Sequence, residues 1–173
     1  VRATALFERR LDLHPVYNPD IVKPMWKELD DIGVVPLTSA QEVDQAMAEK
    51  KGTVMIIVNS VCGCAAGHAR PGVALALQNK IIPDRLYTVF AGVDREATQK
   101  AREYMTGMPS SSPSVALFKD GQLVYMLHRR QIESMDMDNV ASQIVQAFDQ
   151  YCESPGPSVP PGEMARAFNI SIG

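Results

Sequence analysis

The sequence holds little cysteine and few aromatics. It has three cysteines, one tryptophan and 6% Phe, Trp and Tyr in 173 residues. An odd, small cysteine count does not suit an extracellular disulfide framework. Val1 to Arg10 carries charge among its apolar residues and lacks the apolar segment of a signal peptide. Both observations suit a cytoplasmic, reducing compartment in which thiols work rather than staple. No apolar run approaches the ~20 residues of a membrane span, so no membrane partner is expected. No charge sign dominates: 17 Lys and Arg stand against 20 Asp and Glu, interspersed, for a net −3. That balance argues against a nucleic-acid surface. No internal repeat is visible. A chain of this length with 46% hydrophobic residues has material for one core without disulfide help.

Val54-Met55-Ile56-Ile57-Val58 is the strongest structural signal, a continuous apolar run that reads as a strand buried on both faces. Asn59 and Ser60 break it. Cys62-Gly63-Cys64 follows, and then small residues compatible with a helix. The pair therefore falls at a strand–helix turn. Unpaired N–H groups and the helix dipole at such a turn favour a thiolate. Two thiols one residue apart close a small, strained ring, which makes their disulfide easy to exchange. Gly63 is expected to supply backbone freedom for that ring. Cys62 reads as the attacking thiol and Cys64 as the resolving one.

The rest of the chain places this turn in an α/β architecture. Asn18-Pro19-Asp20 opens a helix whose apolar row is Ile21, Met25, Leu29 and Ile32, closed by Gly33. Val22 and Trp26 lie beside that row. Val34 to Leu37 is a short strand, with Pro36 suggesting a sheet edge. Thr38-Ser39-Ala40-Gln41-Glu42 holds two overlapping capping boxes before a helix that reaches about Lys50. Helix is expected from Cys64 to about Asn79, kinked at Pro71-Gly72. A strand over Leu86 to Val93, a helix capped by Asp94, and a loop from Gly107 to Pro113 follow. Ser114 to Phe118 and Gln122 to Leu127 form a hairpin around Asp120-Gly121. A last helix runs from about Met137 to Cys152, with Val140, Ile144, Phe148 and Cys152 in one row. Alternating β and α segments plus a hairpin imply a mixed central β-sheet with helices on both faces. The expected division is an N-terminal arm over 1–17, a domain over 18–152, and a Pro/Gly-rich tail over 153–173. The tail either dangles or docks through Met164 and Phe168.

Four further residues bear on the site. Ser112-Pro113, after the third crossover helix and before the hairpin, suggests a cis peptide. There the Ser112 backbone N–H and C=O would stand beside the cysteines and pair with an extended substrate. Arg70 is either an auxiliary cation bending back toward Cys62 or a surface residue. Cys152 is either a second resolving thiol or a buried small hydrophobe. No Asp or Glu lies between Lys51 and Cys62, so no acid on the preceding strand can take the resolving thiol's proton. Cys62, Cys64 and His68 have metal-ligand spacing but no fourth ligand nearby, so no metal site is expected. His14 and His128 read as surface residues.

Together the element order, the cysteine turn, the kinked helix and the Ser-Pro turn resemble a thioredoxin-like fold. Val58-Asn59-Ser60-Val61-Cys62-Gly63-Cys64-Ala65-Ala66-Gly67, Ala69-Arg70-Pro71, Thr88 to Gly92, Ser111 to Ser114 and Ala147 to Cys152 are similar to the bacilliredoxin family. The resemblance runs from about Pro19 to Cys152. It implies a bacterial, cytoplasmic thiol–disulfide oxidoreductase that removes a low-molecular-weight, bacillithiol-like thiol from protein mixed disulfides. That small thiol would be a co-substrate, with no bound cofactor. It also implies Cys62 as attacking cysteine, Cys64 as its partner and Pro113 as the cis-proline. Partners would be thiolated or disulfide-bonded proteins. Protein disulfide isomerase activity is the alternative, and a non-catalytic or metal-holding thioredoxin-like module is a third reading. The oligomeric state is not legible.

Overall fold

A computed structural model describes residues 13–171 of the chain. Leu6, Phe7 and Leu11 of the expected arm lie outside that range. The first helix, α1, spans Pro19–Asp30, and the Asn18 side chain caps it by accepting from the Asp20 N–H. Pro24 sits inside α1 without ending it. The inward face is Val22, Leu29 and Ile32, whereas Ile21 is 67% exposed, so the row predicted through Ile21 is turned by one position. Strand β1 (Val35–Pro36) and helix α2 (Ala40–Ala48) follow. The two predicted capping boxes resolve into one device. Ser39 Oγ accepts from the Glu42 N–H, while the Glu42 carboxylate accepts from the Thr38 N–H at 2.6 Å.

Strand β2 spans Thr53–Asn59 and every residue in it is buried. A π-helical turn over Ala65–Ala69 then runs directly into α3 (Arg70–Ala76). The irregularity in the helix expected from Cys64 is this wide turn, just before Pro71. Proline has no N–H to donate and its ring crowds the carbonyl four residues back, so the chain opens by one residue here. Two-residue strand β3 (Ile81–Ile82) precedes β4 (Arg85–Phe90) and α4 (Arg95–Tyr104). Asp94 holds the cap position of α4 without a side-chain capping bond. The hairpin is β5 (Ser114–Lys119) and β6 (Gln122–Leu127), with Asp120 at φ 49° and Gly121 at φ 80° in its turn. Positive φ at both turn residues matches the twist of paired strands. A short helix α5 (Arg129–Glu133), not expected from the sequence, precedes the long α6 (Met137–Tyr151), which is the expected last helix.

The main sheet has the order β1-β4-β2-β5-β6, with β1, β4 and β2 parallel and β5 and β6 antiparallel. This is the thioredoxin-like arrangement. Alternate residues of β2 feed two cores. Val54, Ile56 and Val58 join Val43, Met47, Ala97 and Ala101 under α2 and α4. Met55 and Ile57 join Val73, Ile144 and Phe148 under α3 and α6. That two-sided burial is why the run lacks alternation.

Beyond Cys152 the chain docks. Strand β7 (Ser154–Pro155) pairs antiparallel with β3, and helix α7 (Pro161–Phe168) buries Met164 against the α3/α6 core. Ser158 Oγ donates to the Ile32 carbonyl at 2.8 Å. Among the described residues, no helix is long and apolar enough to cross a membrane.

Candidate active site

The carboxyl ends of parallel strands β2 and β4 lie side by side, with Asn59 opposite Phe90 and Val58 opposite both Val89 and Ser114. Three segments leave the sheet at this edge: the cysteine turn after β2, Ala91-Gly92 after β4, and the Ser112-Pro113 turn before β5. Open α/β sheets bind ligands at such an edge because the loops there diverge.

Cys62 and Cys64 are joined as a disulfide. Cys62 sits where the helix begins: its carbonyl accepts from the Ala65 N–H at 3.1 Å, and its Sγ accepts from the same N–H at 3.4 Å. The Ser60 hydroxyl donates to Cys62 Sγ at 3.1 Å. A sulfur that receives an N–H and an O–H is prepared to carry negative charge. Cys62 thus has two sulfur-directed donors, a hydroxyl that the sequence reading passed over and a backbone amide. The signal for Ser60 was its place two residues before the cysteine in a tight turn. Gly63 is exposed, its φ is not left-handed, and a Cβ there would meet nothing within 4 Å. The ring in this state therefore makes no use of glycine's special freedom, contrary to expectation.

Arg70 corrects the sequence reading. It is neither on the surface nor at the sulfur: its residue exposure is 5%. Its Nη1 donates to Asn59 Oδ1 at 3.1 Å and to the Ser60 carbonyl at 3.2 Å, and its Nε pairs with the Glu28 carboxylate from α1. Asn59 Oδ1 also accepts from the Ser60 N–H at 2.9 Å, and Asn59 Nδ2 donates to the Met25 carbonyl. Arg70 is thereby a brace that fixes the peptide carrying Ser60, and through it the hydroxyl on Cys62. A buried guanidinium satisfied in this way makes costly any movement that would strand it.

The Ser112–Pro113 bond is cis, as its place in the topology suggested. Ser112 and Cys62 line one cavity of about 230 Å³, together with Val16, Tyr17, Ser60, Val61, Ala91, Gly92 and Arg129. The Ser112 carbonyl is not open as expected: Arg129 Nη1 donates to it at 3.2 Å. Val16 and Tyr17 reach the site because the Val16 N–H donates to the Gly92 carbonyl at 2.7 Å. Gly92, at φ 84°, has the Tyr17 ring 2.7 Å from where a Cβ would be, so both its conformation and its bareness are required. Met25 and Trp26 are half-buried against Val22, Phe90, Val93 and Val61, which packs the α1 end behind the cysteine turn.

The other predicted residues are not gathered here. Cys152 is 5% exposed at the opposite end of β2, where its thiol meets Thr53. Burial pushes that thiol up to about 11, with Asp84 and Asp149 adding to the rise and Thr53 opposing it. β2 separates it from Cys62 by about 20 Å. His68 Nδ1 faces the Met135 carbonyl. His128 caps α5 and contacts Ser111 Oγ at 3.3 Å, so neither histidine is simply solvated. Among the described residues, no group of three or more His, Cys, Asp or Glu is placed to hold a metal.

Comparison with known proteins bears on the same region. The family model described as disulphide isomerase matches residues 17–152. A bacilliredoxin of Staphylococcus epidermidis is 51% identical over 138 residues, covering 80% of this chain and 94% of that protein. One of Staphylococcus saprophyticus is 50% identical over 137 residues, covering 79% and 94%, and one of Staphylococcus aureus is 47% identical over 138 residues, covering 80% and 94%. Among solved structures, Fasciola hepatica thioredoxin aligns with a TM-score of 0.47 at 17% identity, covering 68% of this chain and 99% of that one.

Proposed function

The chain belongs to the bacilliredoxin family and is a thiol–disulfide oxidoreductase, and on that premise we propose that Cys62 is its attacking thiol on protein mixed disulfides with a low-molecular-weight thiol. One observation carries the assignment of roles: the Ser60 hydroxyl and the Ala65 N–H both point at Cys62 Sγ. In the reduced protein these donors favour the Cys62 thiolate, and the helix start adds its dipole. That thiolate attacks the small-thiol sulfur of a protein–S–S–R substrate. A new S–S bond joins Cys62 to R–S, the substrate's S–S bond breaks, and the protein thiolate leaves and takes a proton from water. Cys64, as thiolate, then attacks Cys62 Sγ. RS⁻ leaves, and the Cys62–Cys64 disulfide of the present structure results. A thiol reductant returns it to the dithiol by the same chemistry.

Gly63, Ser112 and Pro113 shape the substrate's approach in this proposal, and the Arg70 brace holds Ser60 in line. The reaction belongs to a bacterial cytoplasm, and the co-substrate is a bacillithiol-like thiol. The division into an arm (1–17), a thioredoxin-like domain (18–152) and a tail (153–173) stands as part of the same proposal, with Val16 and Tyr17 of the arm reaching the site. The isomerase reading is favoured by the family model's description; it uses the same Cys62 attack on a protein–protein disulfide.

The test is release of a small thiol from a protein mixed disulfide. Cys62→Ser is expected to abolish release. Cys64→Ser is expected to accumulate the Cys62–S–S–R adduct, visible as a mass increase by one thiol. Release that survives in Cys62→Ser would sink the assignment. Recovery of a scrambled disulfide protein at rates exceeding small-thiol release would favour isomerisation instead.

A further inference from the structure

We propose that Arg129 anchors a carboxylate on the small thiol while that thiol is attached to Cys62. The inference rests on the small-thiol reading above and names the chemical class of that thiol.

The cavity beside Cys62 is of small-molecule size, about 230 Å³. Apart from Arg129 its lining residues, Val16, Tyr17, Val61, Ala91, Gly92 and Ser112 among them, carry no charge. Arg129 is the one charged side chain among the described residues that line it. An adduct on Cys62 Sγ therefore extends into a space with a single cation and no carboxylate in its walls. A group of opposite charge there is attracted, and a planar carboxylate matches the fork of a guanidinium.

The side chain is held ready for this. Its Nη1 donates to the Ser112 carbonyl, which ties the guanidinium to the turn facing Cys62. Its Nε pairs with Glu133 one helical turn along, and both side chains of that pair are 46% exposed. Exposed ion pairs are weak and easily exchanged. Glu133 also lies outside the cavity lining, so it keeps the guanidinium compensated without occupying the space an adduct would fill. Arg70, the other arginine near the turn, is buried and committed to Asn59, Ser60 and Glu28, so it is not available for a ligand. Arg129 makes no bond to either cysteine sulfur. Its part is recognition: it positions the small thiol so that Cys62 meets the sulfur of that thiol rather than the protein's.

The experiment uses the full reduced chain and one reporter protein carrying either of two adducts of similar size. One adduct is 3-mercaptopropionate, which bears a carboxylate; the other is 2-mercaptoethanol, which is uncharged. The readout is the ratio of kcat/KM for release of the two. The wild-type chain is expected to favour the carboxylate adduct by about tenfold. In Arg129→Gln the ratio should fall toward one, and in Arg129→Lys it should stay between the two, since an ammonium keeps charge but loses the fork. In the wild type, the ratio should also fall as salt rises to about 1 M. A wild-type ratio near one, or a ratio that Arg129→Gln leaves unchanged, overturns the proposal. If the wild type releases neither adduct, the small-thiol reading itself fails and this inference falls with it.

Discussion

The two ends of strand β2 each place a cysteine near a Ser or Thr hydroxyl, and the surroundings of the two cysteines are opposite. At the carboxyl end, Cys62 stands at a helix start with the Ser60 hydroxyl and the Ala65 N–H directed at its sulfur. At the amino end, Cys152 closes α6 in the core beside Thr53, and burial pushes its thiol up to about 11. Both sit within one hydrogen bond of a hydroxyl. The decisive differences are dielectric and field. Cys62 is partly exposed at a helix start, whereas Cys152 is buried with Asp84 and Asp149 nearby. On the proposed roles, reactivity follows position in the fold, not the residue type or the presence of one hydroxyl neighbour.

The comparison is most easily broken by chemical labelling. At pH 7 a thiol titrating at about 11 is thiolate in roughly one part in ten thousand, and burial blocks access as well. In the reduced folded chain, iodoacetamide is expected to modify Cys62 at least about a hundredfold faster than Cys152, as read by peptide mapping over time. Similar rates at the two cysteines would remove the contrast. Cys152 labelling should become fast only when the chain is unfolded.

A second contrast lies in stability against pH. The Cys152 thiol is raised from about 9 to about 11 in the folded chain. Below pH 9 it is protonated whether the chain is folded or not, so it adds no pH dependence. As pH rises from 9 to 11 the unfolded thiol ionises while the folded one resists. The unfolded state then binds fewer protons, and stability falls with pH. Two pKa units correspond to roughly 2–3 kcal/mol. Burial also raises the Tyr125 hydroxyl above its ordinary value, so the measurement is a difference: urea unfolding of wild type and Cys152→Ala from pH 8 to 11. The wild type is expected to lose that much more stability than the variant over the interval. Parallel curves would show that Cys152 is not held neutral by the fold.

How much of this was legible in the sequence follows the range of the interactions concerned. Strand β2, the Asn18 and Ser39 caps, the Asp120-Gly121 turn and the cysteine turn are set by near neighbours, and they stand where local chemistry put them. The cis Ser112–Pro113 bond was readable once the element order was known. Arg70 was misread because its burial depends on Glu28, forty-two residues earlier, and on the π-helical turn that aims it at Asn59 and Ser60. Strands β3 and β7 pair two residues each, too few for any periodicity, and β7 lies in the segment expected as a Pro/Gly-rich tail. A two-residue pair at an edge asks nothing of the missing proline N–H. Tyr17, Gly92 and Arg129 come from three separate segments, and only the assembled fold brings them to one cavity.

The finest discriminating measurement concerns Ser60 itself. If the Cys62 thiolate is favoured partly by the Ser60 hydroxyl, Ser60→Ala removes one of its two sulfur-directed donors while the Ala65 N–H and the helix start remain. A hydrogen bond to a charged group is worth about 1.5–3 kcal/mol, and one pKa unit is about 1.4 kcal/mol. The pH profile of Cys62 alkylation in Ser60→Ala should therefore shift upward by about one unit, with the rate on the fully ionised plateau little changed. The plateau separates loss of thiolate from loss of access, because a disordered turn would alter the plateau and not merely the midpoint. An unshifted midpoint would mean that the helix start alone prepares Cys62, and that Arg70 braces a serine whose hydroxyl is incidental. A shift would tie the buried Glu28–Arg70–Asn59–Ser60 chain to the sulfur it ends on, and would explain why the reactive end of β2 needs a buried guanidinium that the Cys152 end does without.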